Sequence, residues 1–368
     1  MKYIKVGKLN VELAISSKLG DEYFNEEFSY FSKGDKNNID ASYLITDAKE
    51  PANHNNKEML GSNFTYDKKI LSISTSGLIA RKRKVSIEKE KNKTTFYFTR
   101  PYKLLNELYR LYSRDYLSFN ETAIKDFVYN VFEPTLQQVQ VKKGQSFVHG
   151  ALLVNDKNEG LLVTGWGGSG KSSLGTQLLK NGWSMGSDDL LVVNEDGKAF
   201  SYPKRAQVYA YNLVGNKQLK DRIFGTLPLS RKIVWKIRES LLGPTKVRRR
   251  VPLSFIGNSV ENNNPITIKR VLDVRRSTDD IASVQKISSE DFALTHSQIL
   301  LYEFQPFTSQ MLALDTFVPN EDSVFSTREK TKEVLKKAVE SADIRRILVP
   351  KNCNPNDLLK VYLDNIDG

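Results

Sequence analysis

The sequence predicts an α/β protein in which a mixed-sheet α/β domain follows an α+β lobe, and three observations support this prediction. Residues 161–164 form an apolar, partly β-branched run typical of a buried strand, and residues 172–179 have helical spacing. Residues 69–74 and 95–98 resemble half-buried strands. The chain of 368 residues exceeds the usual size of one domain. We therefore expect an α+β lobe over residues 1–140 and a mixed-sheet α/β domain over residues 141–368.

The lobe is predicted to contain a loop and two helices besides its strands. Residues 47–62 are rich in Asn and Lys and contain Pro51, which indicates a loop. Apolar side chains recur at helical spacing over residues 102–116, and a second helix is predicted over residues 121–132. This helix is expected to end before Pro134, because the residue before a proline disfavours helical backbone. The border with the domain is expected near residues 134–144.

The domain is predicted to mix strands and helices along its whole length. Turn signals such as Asn181-Gly182 and Asp196-Gly197 separate its periodic segments. The predicted strands cover residues 145–154, 161–164, 190–193, 198–202 and 266–275, and the predicted helices cover residues 172–179, 288–303 and 326–341.

A glycine loop joins the second of these strands to the first of these helices. Residues 165–172 fit the phosphate-binding P-loop pattern at every fixed position. Glycines let backbone N–H groups point at an anion, and the following helix adds its positive N-terminal end. Lys171 is expected to reach the β- and γ-phosphates, and the Ser172 hydroxyl is expected to bind Mg²⁺. The predicted nucleotide-binding residues are Gly165, Gly167, Gly168, Ser169, Gly170, Lys171, Ser172 and Ser173. ATP and Mg²⁺ are the expected ligands.

A pair of adjacent aspartates follows the loop in the sequence. Asp188 and Asp189 come seventeen residues after Lys171, a spacing that lets a strand, loop, helix and strand bring them beside Ser172. One carboxylate can hold Mg²⁺ while the other accepts the proton of an attacking hydroxyl. An Asp pair alone is more often a turn at a strand end, but together with the loop it predicts phosphoryl transfer.

These segments resemble the core of the HPr kinase/phosphorylase family, which shares its nucleotide-binding fold with phosphoenolpyruvate carboxykinase. The resemblance is carried by residues 147–153, 162–172, 180–183 and 187–189, and it is close over residues 145–205. It implies an ATP-dependent kinase with Asp188 as the base and Asp189, together with Ser172, as a metal ligand. It places His149 beside the transferred phosphate as a third catalytic residue with Asp188 and Lys171. It also makes a homo-oligomer an expectation.

Two features depart from the family pattern. Members of the family carry Glu directly after the Lys-Ser of the loop, where this chain has Ser173, and the segment from Tyr202 to Tyr211 differs from theirs. HPr is therefore not the expected acceptor. Lys204 and Arg205, which follow the acidic pair, are predicted to contact the acceptor or its phosphate. Arg275 and Arg276 are further candidates, because an arginine facing the γ-phosphate stabilises transition-state charge.

The basic charge is concentrated in residues 201–260. The chain carries a net charge of +12, and this segment holds thirteen Lys or Arg against Asp221 and Glu239. Tyr202, Tyr209, Tyr211, Phe224 and Trp235 interleave with these cations and could stack bases. A nucleic acid is therefore one possible partner, while a solvated helical face is the plainer alternative.

Three functions remain open from the sequence. The first is an ATP-dependent kinase acting on a hydroxyl of a protein, peptide or small metabolite. The second is a kinase or nucleotide-dependent binder directed at nucleic acid, and the third is a non-catalytic interaction protein gated by nucleotide. Composition favours the cytoplasm and no membrane partner, since no apolar run is long enough to span a bilayer and the N-terminus lacks a secretory signal. The single cysteine, Cys353, excludes an internal disulfide.

Overall fold

The computed structural model is a mixed α/β protein with mixed sheets. Helices and strands alternate along the chain in both predicted halves. It describes residues 1–16, 21–47, 58–60, 64–67, 70–76, 81–90, 92–98, 108–111, 113, 115–214, 216–260, 264–305, 307–317, 322–350, 353 and 355–363. The predicted mixture of strands and helices is therefore confirmed.

The N-terminal half is built on an eight-stranded sheet. Its strands are β1 (Lys2–Val6), β2 (Leu9–Ile15), β3 (Ala41–Thr46), β4 (Glu58–Leu60), β5 (Phe64–Asp67), β6 (Ile70–Ser76), β7 (Arg81–Glu90) and β8 (Lys93–Phe98). They lie in the order β1-β2-β3-β8-β7-β6-β5-β4. Helix α1 (Asp21–Glu27) connects the parallel strands β2 and β3, and β8 pairs in parallel with β3. The strand predicted at residues 95–98 is confirmed, and the one predicted at residues 69–74 is confirmed over residues 70–74. Within the segment 47–62, predicted to be a loop, residues 58–60 form β4, and residues 48–57, 61 and 62 lie outside the described residues, as does residue 69.

One helical stretch connects the two halves. Helix α2 (Phe119–Phe127) continues through a π-helical turn (Val128–Phe132) into α3 (Glu133–Lys142). The prediction that the helix ends before Pro134 is wrong. The wider π turn precedes the proline, and Pro134 occupies the first turn of α3, where a missing N–H costs little. Of the helix predicted over residues 102–116, residues 108–111 are helical, residues 113, 115 and 116 are not, and 102–107, 112 and 114 lie outside the described residues.

The C-terminal half is built on a second eight-stranded sheet. Its strands are β9 (Gln145–Val154), β10 (Glu159–Gly165), β11 (Ser184–Ser187), β12 (Leu190–Asn194), β13 (Lys198–Phe200), β16 (Ile266–Ser277), β17 (Ser283–Lys286) and β18 (Asp343–Pro350). The order is β10-β9-β12-β13-β16-β18-β17, with β11 on β9 and an additional pairing of β10 with β16. Strands β10, β16 and β18 run parallel, so their carboxyl ends lie at one edge.

Helices cover this sheet, and a small insertion extends from it. The helices are α4 (Lys171–Lys180), α5 (Lys217–Gly225), α6 (Leu229–Leu242), α7 (Ser289–Glu303), α8 (Phe307–Phe317), α9 (Val324–Val339) and α10 (Pro355–Tyr362). The insertion contains α5, α6 and a two-stranded sheet of β14 (Ala206–Tyr209) and β15 (Arg248–Val251). The elements predicted for the second half are confirmed within a few residues at each end.

A hydrophobic core is shared between the two halves. It joins side chains of the first sheet, such as Leu13 and Ile45, to Phe147, Tyr202 and Phe304 of the second half, all of them buried. The segment expected to form a domain border lies largely in the buried helix α3. The two halves of the chain therefore pack on common apolar side chains. No helix in the described part of the chain is both long and apolar enough to cross a bilayer.

Candidate active site

The glycine loop lies at the carboxyl end of the parallel strand β10. Gly165 pairs with Val274 of β16 and has φ +134°, and a Cβ at this position would overlap the Val274 carbonyl oxygen. Gly168 (φ +78°) and Gly170 (φ +113°) also adopt left-handed backbone, which favours glycine. A Cβ at Gly167 would meet nothing within 4 Å. The backbone thus needs glycine at three positions and is open to a ligand at Gly167.

The Lys171 ammonium lies across this loop. Its Nζ donates to the carbonyl oxygens of Gly165 at 2.5 Å and Trp166 at 3.0 Å, and it lies 3.3 Å from Nε2 of His149. Burial lowers the pKa of Lys171, an effect that the carboxylates of Asp189, Glu303 and Asp188 oppose. The ammonium is therefore held at the mouth of the loop, at the first residue of α4.

Strand register brings His149 between the loop and the acidic pair. On one edge of β9, Gly150 pairs with Thr164 of β10, and on the other edge His149 pairs with Leu190 of β12. His149 is consequently adjacent to both the start of the loop and Asp189. Burial, with help from Lys171 and Lys204 and against the pull of Asp189, lowers the pKa of His149 to about 4. The imidazole is neutral at neutral pH.

Asp188 and Asp189 form the turn between β11 and β12. Asp189 has φ +76°, a left-handed conformation that Asp tolerates better than most residues. Burial and the neighbouring Asp189 raise the pKa of Asp188 to about 6, against the effect of Lys171. Burial alone would raise the pKa of Asp189 too, but Lys204 and His149 bring it down to about 2. The environment thus separates the two carboxyl groups into a base that titrates near neutrality and a permanent anion.

Contact with the Lys204 ammonium keeps the Asp189 carboxylate ionised. Its Nζ lies 3.0 Å from Oδ2 of Asp189 and 2.9 Å from Oε1 of Glu133, and 3.6 Å above the ring of Tyr129. The side chain is 3% exposed. Lys204 therefore lies in the predicted site, but it is engaged with carboxylates of this chain.

The three arginines predicted to contact substrate lie in different places. Arg276 donates from Nε to the Gly168 carbonyl at 3.1 Å and from Nη1 to Pro350, so it touches the loop. Arg275 donates hydrogen bonds to the Asp273 carboxylate at 2.9 Å and to the Thr295 hydroxyl at 2.8 Å, on the other side of β16. Arg205 is buried and paired with Glu26 and Glu27, outside the cleft that contains the acidic pair. Arg276 is the arginine that the fold brings to the loop.

The residues of the loop fit a bound polyphosphate. The Ser169 hydroxyl is buried and has no hydrogen-bond partner among the described residues. Left-handed glycines, an open face at Gly167 and the cations Lys171 and Arg276 surround the same space. Ser172 and Ser173 are the second and third residues of α4, and their side chains lie outside the described residues. The described residues contain no group of three or more His, Cys, Asp or Glu that could hold a metal ion, so the cation would need ligand oxygens in addition to the acidic pair.

A cavity of about 430 Å³ opens between the loop and the insertion. Loop glycines and the acidic pair form one wall, and Gln207, Tyr209, Tyr211 and Asn212 form the other. The rings of Tyr209 and Tyr211 stack with centroids 5.3 Å apart. The cavity is therefore bounded by charge on one side and by aromatic and amide groups on the other.

Several residues of this region carry no sequence signal that predicted them. Glu303, at the end of α7, has Oε1 3.7 Å from Nε2 of His149, and burial raises its pKa. Behind the loop, the Thr164 hydroxyl lies 3.2 Å from Nε2 of His296, which lies 3.4 Å from the buried carboxylate of Asp273. None of these residues belongs to a motif, and they meet only because β16 and α7 pack beside β10.

Several cations of the basic segment pair with acidic groups of the N-terminal half. Arg205 and Arg250 pair with the buried Glu27, and Arg248 pairs with Asp115 at 2.5 Å. Tyr202 and Trp235 are buried at 1% and 6% exposure, so they cannot stack on bases. Arg205, Arg248, Arg250, Tyr202 and Trp235 therefore do not contribute to a nucleic-acid-binding surface.

The fold and the cavity define a mixed α/β protein whose architecture is consistent with an α/β nucleotide-binding fold. No protein-family model matches the chain, and no curated protein matches it. Among solved structures, the Hpr(Ser) kinase/phosphatase from Coxiella burnetii is similar to 60% of this chain and is itself covered over 89% of its length, with 12% sequence identity and a TM-score of 0.22. The geometry of the site, rather than this likeness, is the basis of the function proposed below.

Proposed function

We propose that the protein is an ATP-dependent kinase of the HPr kinase/phosphoenolpyruvate carboxykinase fold type that transfers the γ-phosphate to a hydroxyl group. One observation carries the proposal: the Asp188 carboxyl, with a pKa of about 6, shares a cavity with a glycine loop crossed by a lysine. Bound ATP would supply the phosphoryl group, and Mg²⁺ would neutralise its charge. The domains proposed are an N-terminal lobe over residues 1–140 and a catalytic domain over residues 141–368.

The residues of the chain divide the work of such a transfer. Asp188 accepts the proton of the attacking hydroxyl, since its carboxylate, with the higher pKa, is the stronger base of the pair. Lys171 and Arg276, both in contact with loop carbonyls, are placed to balance charge on the transferred group. Asp189 and Ser172 are the proposed metal ligands. Neutral His149 lies 3.3 Å from the Lys171 ammonium and positions it.

The acceptor is proposed to enter from the side of the insertion. Tyr209, Tyr211 and Asn212 face the loop across the cavity. A second cavity of about 310 Å³, which Asp188 also lines, continues toward Asn216 and Leu219. A cleft that extends past the base on one side suits a side-chain hydroxyl carried by a larger molecule, such as Ser or Thr in a protein or peptide, while a small hydroxylated metabolite would fill only the inner part.

Incubation with γ-labelled ATP, Mg²⁺ and a lysate of the native host tests the proposal. We expect label to appear in a hydroxyl-bearing species, and its fraction identifies the acceptor as protein, small molecule or nucleic acid. Lys171→Ala is the control and should remove the label, because the loop loses its phosphate-contacting cation. ATP binding without any labelled product would favour the nucleotide-gated interaction protein, and label in nucleic acid would favour the second alternative.

The pH profile of the transfer gives a separate prediction. Asp188 must be deprotonated to act as base, and its pKa in the free protein is about 6. We therefore expect kcat/KM to be constant above about pH 7 and to fall about tenfold per pH unit below 6. His149, with a pKa of about 4, should not contribute to the fall of kcat/KM below pH 6. A profile that stays flat down to pH 5 would exclude Asp188 as the base.

A further inference from the structure

A cavity beside the two-stranded sheet of β14 and β15 is lined by arginines. It has a volume of about 140 Å³ and lies between α6, β15 and the residues 115–121 that precede and begin α2. We call it the arginine pocket. Among the described residues, seven arginines line it, including Arg231, Arg238 and Arg249, and the acidic lining residues are Glu26, Asp115 and Glu121.

The carboxylates of the pocket are already engaged. Glu26 pairs with Arg205 at 2.7 Å, Glu121 with Arg110 at 2.9 Å, and Asp115 with both Arg248 and Lys125. Each acidic group therefore has a cation of its own. The remaining arginines give the pocket an excess of positive charge.

Arg231 and Arg249 carry most of this excess. Arg249 donates from Nη1 to the Ile223 carbonyl and to the Thr226 hydroxyl, neither of which is charged. Burial lowers the pKa of Arg249, Arg231 lowers it further, and Glu26 opposes the effect. Among the described residues, no carboxylate lies within 4 Å of either guanidinium. Two cations thus face one cavity without a counter-ion.

Two further features mark the pocket as a binding site. Tyr116, on its wall, has φ +58°, which is unusual and costly for a bulky side chain, and strain of this kind clusters at ligand sites. The guanidinium of Arg238 lies 5.4 Å from the centre of the Tyr116 ring. Arg250, 7% exposed, has a buried Nε with no hydrogen-bond partner in the described part of the chain. An anion would satisfy such donors.

We propose that the arginine pocket binds a phosphomonoester dianion, which Arg231 and Arg249 hold. A guanidinium offers paired donors that match phosphate oxygens, and two guanidinium groups without a carboxylate partner among the described residues match a charge near −2. The volume is equivalent to a few water molecules, enough for a phosphate group with a small substituent. The site is separate from the glycine loop, whose residues do not line it.

One side chain of the pocket contacts the wall of the active-site cavity. Arg248 lines the pocket and donates from Nη1 to the Tyr209 hydroxyl at 3.0 Å and to Gln207. Tyr209 and Gln207 both line the cavity that contains Asp188. Arg248 therefore connects the arginine pocket to the wall of the active-site cavity from which the acceptor is proposed to enter.

Calorimetric titration of the full chain with phosphoserine and with inorganic phosphate, at low salt and without nucleotide, tests the site. The titrations use the Lys171→Ala variant, because this substitution weakens anion binding at the glycine loop. The heat that remains then measures binding in the arginine pocket. We expect Arg231→Ala combined with Arg249→Ala to weaken this binding at least about tenfold, since charge-assisted hydrogen bonds are lost. Lys236→Ala is the matched control, because Lys236 is an exposed cation of the same helix outside the pocket and its loss should change nothing.

The arms of the experiment separate the outcomes. Tighter binding of phosphoserine than of phosphate identifies an organic monoester as the ligand, and equal binding identifies free phosphate. The pair Arg231→Lys and Arg249→Lys keeps the charge and guards against misfolding, and it should retain part of the affinity. Binding that survives in the double alanine variant, or no binding in the Lys171→Ala protein, would overturn the proposal. Because no turnover is measured, failure of the kinase proposal would not affect this result.

Discussion

Asp188→Asn is expected to lower the rate of phosphoryl transfer by about 10²–10⁴-fold while ATP binding stays within a few-fold of the wild type. The amide has nearly the shape of the carboxylate but cannot accept the proton of the attacking hydroxyl. Asp188 lines the cavity opposite the insertion, while the loop contacts come from Lys171, Arg276 and backbone groups. Single-turnover transfer from labelled ATP and equilibrium nucleotide binding measure the two effects separately.

Asp196→Asn is the control for this variant. Asp196 lies in the exposed turn after β12, where it accepts hydrogen bonds from Lys8 and Asn194. The same chemical change there should leave transfer unaltered. If Asp188→Asn kept more than a tenth of the wild-type rate, another group would have to be the base, and Glu303 would be the next residue to change.

Lys204→Met is expected to destabilise the fold by about 3–5 kcal/mol, because it removes the shared cation of two carboxylates. Lys204 contacts both Glu133, which is 1% exposed, and Asp189. Burial already raises the pKa of Glu133, and Lys204 is the main influence that lowers it. Without the lysine, both carboxyl groups must either stay charged without a partner or take up a proton on folding.

The pH dependence of this destabilisation distinguishes a lost ion pair from lost packing. In the wild type, the depressed pKa of Asp189 stabilises the fold above its ordinary pKa, and this contribution is lost as pH falls toward 2. In the variant both carboxyl groups have raised pKa values, so the folded state binds more protons than the unfolded one and the deficit grows with rising pH. Urea unfolding at pH 5 and pH 8 should show the larger deficit at pH 8.

Lys198→Met is the matched control for Lys204→Met. Lys198 is partly buried, and its ammonium donates to the neutral hydroxyl of Thr267 at 2.8 Å. Its loss should cost about 1 kcal/mol with no pH dependence over this range. A deficit of the same size at both pH values for Lys204→Met would mean that Lys204 does not hold Asp189 in its ionised form.

Local patterns were sufficient to predict the elements that surround the loop. The strand β10, the glycine loop and α4 each depend on residues close in sequence: an apolar run, left-handed glycines and helical spacing. Pro134 shows the limit of local rules. A proline tolerated in the first turn of a helix cannot be told from a helix breaker without knowing that a π turn precedes it.

The partners of charged side chains could not be predicted from the sequence. Lys204 and Arg205 are adjacent and both were expected to contact the acceptor, yet Lys204 meets Asp189 while Arg205 pairs with Glu27, far away along the chain. The partners of the two side chains lie on different elements, Asp189 in the turn before β12 and Glu27 at the end of α1. The arginine pocket arises in the same way, since its cations and carboxylates come from both halves of the chain.

By itself the sequence determined that a glycine loop with Lys171 follows a buried strand, that an acidic pair follows the loop, and that the two halves mix strands and helices. Only the tertiary structure decided that His149 lies between the loop and the pair, and that Asp188 has the raised pKa and Asp189 the lowered one. It also decided which cations of residues 201–260 pair with carboxylates, namely Lys204, Arg205, Arg248 and Arg250. The physical reason is that motifs are local in sequence. Burial and electrostatic pairing depend instead on which distant residues the strand register and the shared core bring together.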